Sequence, residues 1–296
     1  MVVIMKREFT PEQLEAAVRT MEEGGVKVMV SKGAETTILG AEGNAEHIDQ
    51  EKLSLLPGVE RVMRVTEPYK KANRKYHPED TVIELSNGRS VGGNRPAVIA
   101  GPCSVESEAQ ICAVAEDVKA SGAALLRGGA FKPRTNPHSF QGLGEEALKI
   151  MRDSGEKHGL KTLTEVMDSA HCELVHSYVD GLQVGARNFQ NFSLLKKIGQ
   201  VTAESHKMVL YKRGFAGTIA EWLAATDYLT AEGNDNVVLC ERGIRTFETA
   251  TRFTLDIAAI PVIHKQSLCP VCIDVSHPAG QRDLVPSLAF AAVAAG

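Results

Sequence analysis

Hydrophobic and polar residues follow two different patterns along the chain, and the pattern changes near residue 96. Before that point, short segments of alternating apolar and polar residues stand between segments with the 3.6-residue spacing of an amphipathic helix. After it, continuous apolar runs of strand length alternate with helical segments that end at glycine. The change predicts two regions of different structural class, a small one at the N-terminus and a larger one after it.

Residues 1–67 have the pattern of a compact unit. VVIMKR predicts a strand, and Thr10 and Pro11 suit the N-cap and first position of a helix that ends at Gly24-Gly25. VKVMVSK and TTILGA predict a hairpin, AEHIDQEKLSLL predicts a second helix, and VERVMRVTE predicts a last strand. This βαββαβ order is that of the ferredoxin-like fold. It suits either a packing module or a ligand-sensing domain, and the fold alone does not choose between them.

A polar and basic segment at residues 68–80, PYKKANRKYHPED, predicts a linker. The next segment, TVIELSNGRSVGG, predicts two short strands around Asn87-Gly88, a dipeptide typical of hairpin turns. An isolated hairpin of this size is barely stable in water, so it is expected to pack on a larger body. Residues 81–296 are therefore predicted to be a second domain that begins with this hairpin.

The second domain contains seven apolar runs rich in Val, Ile and Leu, with helical segments between them. Repeated βα units of this kind build a parallel sheet, either as a barrel or in a doubly wound arrangement. The runs are AVIAGP, ALLRGG, KTLTEV, GLQVGAR, MVLYKRG, NVVLCERG and PVCIDVSH.

Each predicted strand of the second domain ends in polar or charged residues, and the set is strongly basic. In a parallel barrel these ends meet at one rim, which is where barrel enzymes carry their active sites. Converging cations repel one another unless an anion is bound, so the rim predicts a small substrate with several negative charges that arginine binds in a bidentate manner. The strand-end residues are Cys103, Arg127, Glu165, Arg187, Lys212, Arg213, Glu241, Arg242, Asp274 and His277, and the loop after the second strand adds Lys132, Arg134 and Thr135.

Composition restricts the class of protein further. The 296 residues have a formal net charge of −4, which gives no indication of a nucleic-acid partner and contrasts with the basic rim. No apolar run approaches the ~20 residues that span a bilayer, and MVVIMKREFT has neither the length nor the cleavage site of a signal peptide. Six scattered cysteines favour reduced thiols. The sequence therefore predicts a cytoplasmic protein without a membrane partner.

The cysteines offer two candidate metal pairs. Cys103 and His277 lie on opposite sides of the predicted rim, where they are candidates to share a transition metal. Cys269 and Cys272 have a zinc-like spacing, but they enter a strand, where residues three apart face opposite ways. The cysteines interpreted as core are Cys112, Cys172, Cys240, Cys269 and Cys272.

Eight motifs follow one another along the second domain: GPCSVES, LLRGGAFKPRT, SFQGLG, TEVMD, QVGARNFQN, YKRG, CERGIRTFE and DVSH. On these motifs, about residues 80–290 resemble 3-deoxy-D-arabino-heptulosonate 7-phosphate (DAHP) synthase, in the subfamily shared with KDO8P synthase. The KPRT segment is similar to the DAHP branch. Residues 1–67 resemble the ferredoxin-like regulatory domain that some of these enzymes carry.

The resemblance implies a fold and a reaction. The fold is a (β/α)8 TIM barrel behind a ferredoxin-like domain. The reaction is the condensation of phosphoenolpyruvate with erythrose 4-phosphate, the first step of the shikimate pathway to aromatic amino acids. A divalent metal such as Mn, Co, Zn or Fe would polarise the aldehyde. The resemblance also implies a homo-oligomer, specifically a tetramer, and control by an aromatic amino acid, Tyr or Phe.

The same motifs imply a role for each rim residue. The family's phosphoenolpyruvate pocket is matched by Arg127, Arg187, Lys212 and Arg242, and its sugar-phosphate site by Arg134 and Thr135. Lys132 resembles the group that hydrogen-bonds substrate and protonates the developing alkoxide, and Glu165 resembles a residue near the attacking water. Two of the family's four metal ligands are matched by Cys103 and His277.

The sequence departs from the family at its C-terminal end. A Glu on the eighth strand and an Asp in the following loop, the other two metal ligands, have no counterpart. After DVSHPAGQRDL only the helix VPSLAFAAVAAG follows, so a barrel without its eighth βα unit is expected. Such a barrel would bind metal weakly and expose strand edges. Two alternatives stay open: a KDO8P synthase-type condensation with a longer sugar phosphate, and a non-catalytic regulatory or binding paralogue.

Overall fold

The computed structural model describes residues 1–33, 36–45, 47–64, 69–133, 136 and 138–296. The chain divides into two compact units. The first consists of Met1–Asp80 with Gln266–Leu268, and the second of Thr81–Lys265 with Cys269–Gly296. Each unit has its own hydrophobic core.

The first unit folds in the predicted βαββαβ order, as β1 (Val2–Met5), α1 (Pro11–Glu23), β2 (Lys27–Lys32), β3 (Thr37–Glu42), α2 (Gln50–Ser54) and β4 (Val59–Met63). The sheet order is β2-β3-β1-β4 and every neighbouring pair is antiparallel, which confirms the ferredoxin-like fold. Helix α1 begins as predicted, because Thr10 and Gln13 exchange side chain to backbone hydrogen bonds in a capping box. Helix α2 is shorter than predicted, because the Asp49 side chain accepts hydrogen bonds from Glu51 and Lys52 N–H and starts the helix there.

Residues on both faces of the first unit's sheet are buried. On one face, Val3 packs in a core with Met21 of α1. On the other face, Val2 packs against Tyr76. Tyr69 and Tyr76 are both buried, so the described residues of the segment predicted as a linker pack within the first unit.

The second unit begins with the predicted hairpin of β5 (Ile83–Glu84) and β6 (Ser90–Val91), which are antiparallel. Gly88 in the turn has a φ of 75°, a conformation that favours glycine. Ile83 and Val91 pack in one core cluster with side chains of the large sheet. The hairpin therefore packs on a larger body, as expected for a hairpin that is too short to be stable alone.

The large sheet of the second unit consists of β7 (Ile99–Ala100), β8 (Leu125–Arg127), β9 (Lys161–Val166), β10 (Gly181–Val184), β11 (Met208–Lys212), β12 (Val237–Glu241) and β13 (Val271–Ile273). These seven strands pair in sequence order, and every neighbouring pair is parallel. A doubly wound sheet would reverse its strand order at one point, so the order is that of a barrel. Among the described residues, no further strand pairs with β7 or β13.

The helices of the second unit are α3 (Glu108–Ala120), α4 (Glu145–His158), α5 (Cys172–Tyr178), α6 (Phe192–Thr202), α7 (Ile219–Thr230), α8 (Ala259–Gln266), α9 (Ser276–Ala279) and α10 (Val285–Ala294). Successive helices from α3 to α7 pack on one another in sequence order. Short 3₁₀ helices lie at Ser169–His171, Ala186–Asn188 and Arg282–Leu284. In the described residues, none of the helices has both the length and the apolar character needed to cross a membrane.

Candidate active site

A polar cavity lies at the carboxyl ends of the parallel strands, as predicted for the rim. Its walls come from the ends of successive strands and the loops after them. Arg134 and Thr135 lie outside the described residues. The predicted site residues that line the cavity are Cys103, Arg127, Lys132, Glu165, Arg187, Lys212, Arg242 and His277.

Cys103 is the centre of a charged hydrogen-bond group at one side of the cavity. Lys132 Nζ lies 2.6 Å from the Cys103 carbonyl oxygen and 3.2 Å from its Sγ, and donates to both. A hydrogen bond with His277, together with the nearby Lys132 and Arg127 charges, lowers the pKa of the Cys103 thiol to about 5. The side chain is therefore a thiolate at neutral pH, the form that ligates metals.

Asp274 connects Lys212 to His277. Its Oδ2 accepts hydrogen bonds from Lys212 Nζ and from His277 Nδ1, each at 2.6 Å. Burial works against ionisation of this carboxyl, but the His277 hydrogen bond and the Lys212 charge hold its pKa well below the usual range. Because Nδ1 donates to a carboxylate, the other ring nitrogen, Nε2, is the one available as a ligand or acceptor.

Cys103 and His277 are closer than the sequence analysis expected, since both line the cavity and His277 is the neighbour that lowers the pKa of the Cys103 thiol most. Together they supply a thiolate and an imidazole, donors that suit a borderline or soft divalent metal. In the described part of the chain, no group of three or more His, Cys, Asp and Glu side chains is arranged to hold a metal ion. The residues therefore fit part of a metal site.

The cationic side chains of the cavity differ in their partners. Arg127 donates from one terminal nitrogen to the Pro102 carbonyl oxygen, at 3.0 Å. Arg242 is 5% exposed, and its guanidinium carbon lies 4.2 Å from the ring centroid of Phe253 and 4.9 Å from that of Phe215. Its NH1 atom is buried and has no hydrogen-bond partner among the described residues. Burial lowers the pKa of Arg242, and the side chain remains a cation because guanidinium pKa values are so high.

Arg213 and Glu241, two other strand-end residues, form a salt bridge and do not line the cavity. Arg213 NH1 lies 2.9 Å from Glu241 Oε2 and 2.7 Å from Asp256 Oδ2. Its Nε donates to the Gly217 carbonyl oxygen, at 2.8 Å. Glu241 Oε1 accepts the Gly243 N–H. The group ties the ends of β11 and β12 to the loops that follow them.

Glu165 faces the cavity from β9 and pairs with a polar residue of the next strand. Its Oε2 accepts a hydrogen bond from Gln183 Nε2 at 3.1 Å, and the two residues are partners in the β9–β10 register. Gly185 gives the carboxylate its space, because a Cβ at that position would lie 2.0 Å from Glu165 Oε1. Any larger residue at this position would displace the carboxylate from its present place.

The sequence analysis did not single out seven of the residues that line the cavity: Pro133, Gln183, Gly185, Ala186, Phe215, Arg252 and Phe253. Gln183 had a signal, because it interrupts an apolar run at the position that pairs with Glu165. Phe215, Arg252 and Phe253 lie in loops after β11 and β12, and the periodic pattern of strands and helices carries no information about where loop side chains point.

Comparison with known proteins agrees with this arrangement. Residues 80–296 match the DAHP synthetase I family, and residues 1–67 match the DAHP synthase ferredoxin-like domain. The chain is 45% identical over 296 residues to a phospho-2-dehydro-3-deoxyheptonate aldolase of Thermotoga maritima, covering 100% of this chain and 86% of that protein. It is 31% identical over 243 residues to a 2-dehydro-3-deoxyphosphooctonate aldolase of Caulobacter vibrioides, covering 74% of this chain and 78% of the relative.

Solved structures give the same result. The crystal structure of the DAHP synthase from Thermotoga maritima matches with a TM-score of 0.75 and 44% identity, covering 100% of this chain and 84% of that one. A truncated form of 3-deoxy-D-arabino-heptulosonate 7-phosphate synthase from the same organism matches with a TM-score of 0.70 and 43% identity, covering 77% of this chain and 82% of that one. With both parts of the chain matched in the order in which they occur, the chain belongs to the DAHP synthase family, a family of transferases.

Proposed function

We propose that the cavity binds phosphoenolpyruvate and erythrose 4-phosphate and condenses them to DAHP and phosphate, in the first step of the shikimate pathway. The observation that carries the proposal is the collection of cations in one cavity of a protein whose net charge is −4. Arg127, Arg187 and Arg242 offer planar donors to carboxylate and phosphate oxygens. Lys212 adds a fourth cation next to them.

The reaction forms one C–C bond and exchanges the C2–O bond to phosphate for a C2–O bond to water. C3 of phosphoenolpyruvate attacks the aldehyde carbon of the sugar phosphate, water adds at C2, and phosphate leaves with the C2 oxygen. Lys132 stands beside Cys103 with an ammonium that can protonate the new alkoxide. Glu165, held by Gln183, is the carboxylate placed to orient and deprotonate the attacking water.

A divalent metal, when bound, supplies a Lewis acid that polarises the aldehyde. Cys103 and His277 would hold it, through the thiolate sulfur and through Nε2. Asp274 orients the imidazole by accepting from Nδ1, and the same carboxylate holds Lys212 Nζ. Asp274 is therefore a positioning residue for both side chains.

The first unit is proposed to bind an aromatic amino acid, Tyr or Phe, and thereby to inhibit the second. Its support is a separate core and a match to the family's ferredoxin-like domain. Deletion of residues 1–67 should leave condensation intact and remove the inhibition. Because Tyr76 packs on Val2 of this unit, a second deletion through residue 80 avoids leaving an exposed aromatic side chain. If neither amino acid inhibits the full chain, the unit serves packing or assembly only.

The cell compartment and the oligomeric state complete the proposal. Six free cysteines suit a reducing cytoplasm, and the family relationship supports a homo-oligomer, specifically a tetramer. Sedimentation equilibrium of the full chain tests the second point: a single species of four protomer masses is expected, and a monomer would contradict it.

Turnover measurements with two sugar phosphates test the reaction. Phosphate release from phosphoenolpyruvate should accelerate with erythrose 4-phosphate and not with a pentose 5-phosphate.

The Lys132→Met substitution should abolish phosphate release and keep phosphoenolpyruvate binding. Lys161→Ala is the matched control, because Lys161 begins β9 at the opposite end of the sheet and pairs with Asp180. Preference for the pentose phosphate would identify the KDO8P-type reaction. Binding without turnover, with the metal supplied, would identify a non-catalytic paralogue.

A further inference from the structure

Two stacked phenylalanine rings contact the Arg242 guanidinium, and neither ring has a role in the proposed chemistry. The centroids of Phe215 and Phe253 lie 5.2 Å apart and their planes differ by 6°. The Arg242 guanidinium carbon is within 5 Å of both centroids, at 4.9 Å and 4.2 Å. These distances are within the ~6 Å limit of a cation–π contact.

The backbone around both rings is held by hydrogen bonds. The Phe253 N–H donates to the Pro278 carbonyl oxygen at 3.0 Å, and the adjacent Thr254 forms an isolated antiparallel bridge with Ile244. The Phe215 carbonyl oxygen accepts the Arg245 N–H at 2.8 Å. The rings therefore occupy defined positions before any ligand binds.

Arg242 has an unsatisfied donor in this environment. The residue is 5% exposed, and its buried NH1 lacks a hydrogen-bond partner among the described residues. Burial lowers the pKa of Arg242, and the neighbouring Arg252 and Arg187 charges add to this effect, while Asp274 and Cys240 act in the opposite direction. A buried donor without a partner is costly, so such an atom points to a missing acceptor.

An aromatic face and a carboxylate hold a guanidinium in different ways. A carboxylate fixes the guanidinium through its N–H groups and thereby occupies them, as Glu241 and Asp256 do for Arg213. An aromatic ring contacts the flat face and leaves the N–H edge free. Stacking is therefore the means of orientation that preserves donors for a ligand.

We propose that Phe215 and Phe253 are positioning residues that hold the Arg242 guanidinium flat, with its donor edge open to a carboxylate or phosphate group of phosphoenolpyruvate. The proposal rests on the proposed function of the cavity and adds two residues to it. Arg242 is the nearest cation to both rings and the one through which they act on the substrate; the guanidinium carbons of Arg187 and Arg245 lie farther from Phe215, at 6.0 and 5.5 Å, and that of Arg252 lies 5.9 Å from Phe253.

The test is a double-mutant cycle on phosphoenolpyruvate affinity, measured by calorimetry on the full chain without sugar phosphate. Phe253→Leu keeps an apolar side chain and removes the π face, so affinity should fall roughly 5- to 30-fold, the range of a desolvated cation–π contact. Phe253→Tyr keeps the face and should restore affinity to within about twofold of the original chain. In an Arg242→Met background, Phe253→Leu should have no further effect, because interacting residues are not additive.

Phe247→Leu is the matched control, since Phe247 lies in the same loop, is 97% exposed and should leave affinity unchanged. Phe215→Leu tests the second ring independently, and urea unfolding verifies that each variant is folded. If Phe253→Leu weakens phosphoenolpyruvate binding by the same factor in the original chain and in the Arg242→Met variant, the proposal is overturned and the proposed function remains intact. If the original chain binds neither phosphoenolpyruvate nor inorganic phosphate, both the proposed function and the inference are wrong.

Discussion

Arg213 and Arg242 occupy equivalent places in the fold and have opposite surroundings. Each directly follows a parallel strand, β11 or β12, and each is nearly buried, at 6% and 5% exposure. Arg213 is neutralised by Glu241 and Asp256. Arg242 lies against two aromatic rings and keeps a buried donor without a partner. Burial therefore does not distinguish a structural arginine from a ligand-binding one, whereas the chemical class of the partner does.

The same contrast extends to other cations of the cavity. Arg127 donates to a backbone carbonyl oxygen, which orients the cation and leaves its full charge in place. Lys132 and Lys212 differ, because Lys132 also donates to the Cys103 sulfur and Lys212 donates to Asp274. That carboxylate also binds His277, so its charge is shared between two groups. The cavity therefore retains positive charge that a multiply charged anion can neutralise.

The largest expected effect comes from removing Arg213. Arg213→Met leaves the Glu241 carboxylate, which is fully buried, without its cation. The free energy of unfolding should fall by about 3–5 kcal/mol, the usual result of breaking a buried ion pair on one side. Urea unfolding followed by circular dichroism measures this change.

Arg242→Met is the paired experiment, because it removes a buried cation that has no carboxylate. The free energy of unfolding should stay within about 1 kcal/mol of the original value or increase, while phosphoenolpyruvate affinity falls. Similar destabilisation by the two substitutions would show that the two arginines have the same structural role.

A smaller effect is expected from Arg127→Ala, which removes a cavity cation that is held by a carbonyl oxygen. Loss of one charge-assisted hydrogen bond should weaken phosphoenolpyruvate binding by about 1.5–3 kcal/mol, with little change in unfolding. Arg127 is a cleaner choice than Lys212, whose removal would also leave Asp274 without a cation partner.

Calorimetry on the folded variant measures the change, and Lys161→Ala serves as its control. Lys161 is a cation outside the cavity, at the start of β9, where it pairs with Asp180. An unchanged dissociation constant for Arg127→Ala would remove Arg127 from the binding site.

The sequence predicted the parts of the molecule that depend on repeated pattern. Apolar runs with polar ends identified the seven parallel strands and brought Cys103, Glu165 and His277 to one rim, because parallel strands share a direction. The pattern alone left open a barrel or a doubly wound sheet, and the family resemblance implied the barrel that the strand order confirms.

Tertiary contacts explain what the sequence analysis missed. The segment predicted as a linker is rich in Lys and Arg, yet its tyrosines are buried, because Tyr76 packs against Val2 in the first unit. Arg213 and Arg242 looked alike as strand-end cations. Their difference arises from Asp256 and Phe253, which approach from the loop after β12.

The smallest expected effect concerns a cavity carboxylate, and it separates catalysis from binding. Gly185 has a φ of −72°, so alanine suits its backbone, but the added Cβ would meet Glu165 Oε1 at 2.0 Å. Because that atom is the end of a flexible side chain, Glu165 should rotate away and lose its hydrogen bond from Gln183, which should lower the free energy of unfolding by about 0.5–1.5 kcal/mol. Steady-state kinetics of Gly185→Ala should show kcat lowered about tenfold, which equals ~1.4 kcal/mol, and an unchanged phosphoenolpyruvate dissociation constant. Gly93→Ala, where the nearest atom lies at 3.4 Å, is the control. If affinity falls as much as kcat, Glu165 acts in binding and not on the attacking water.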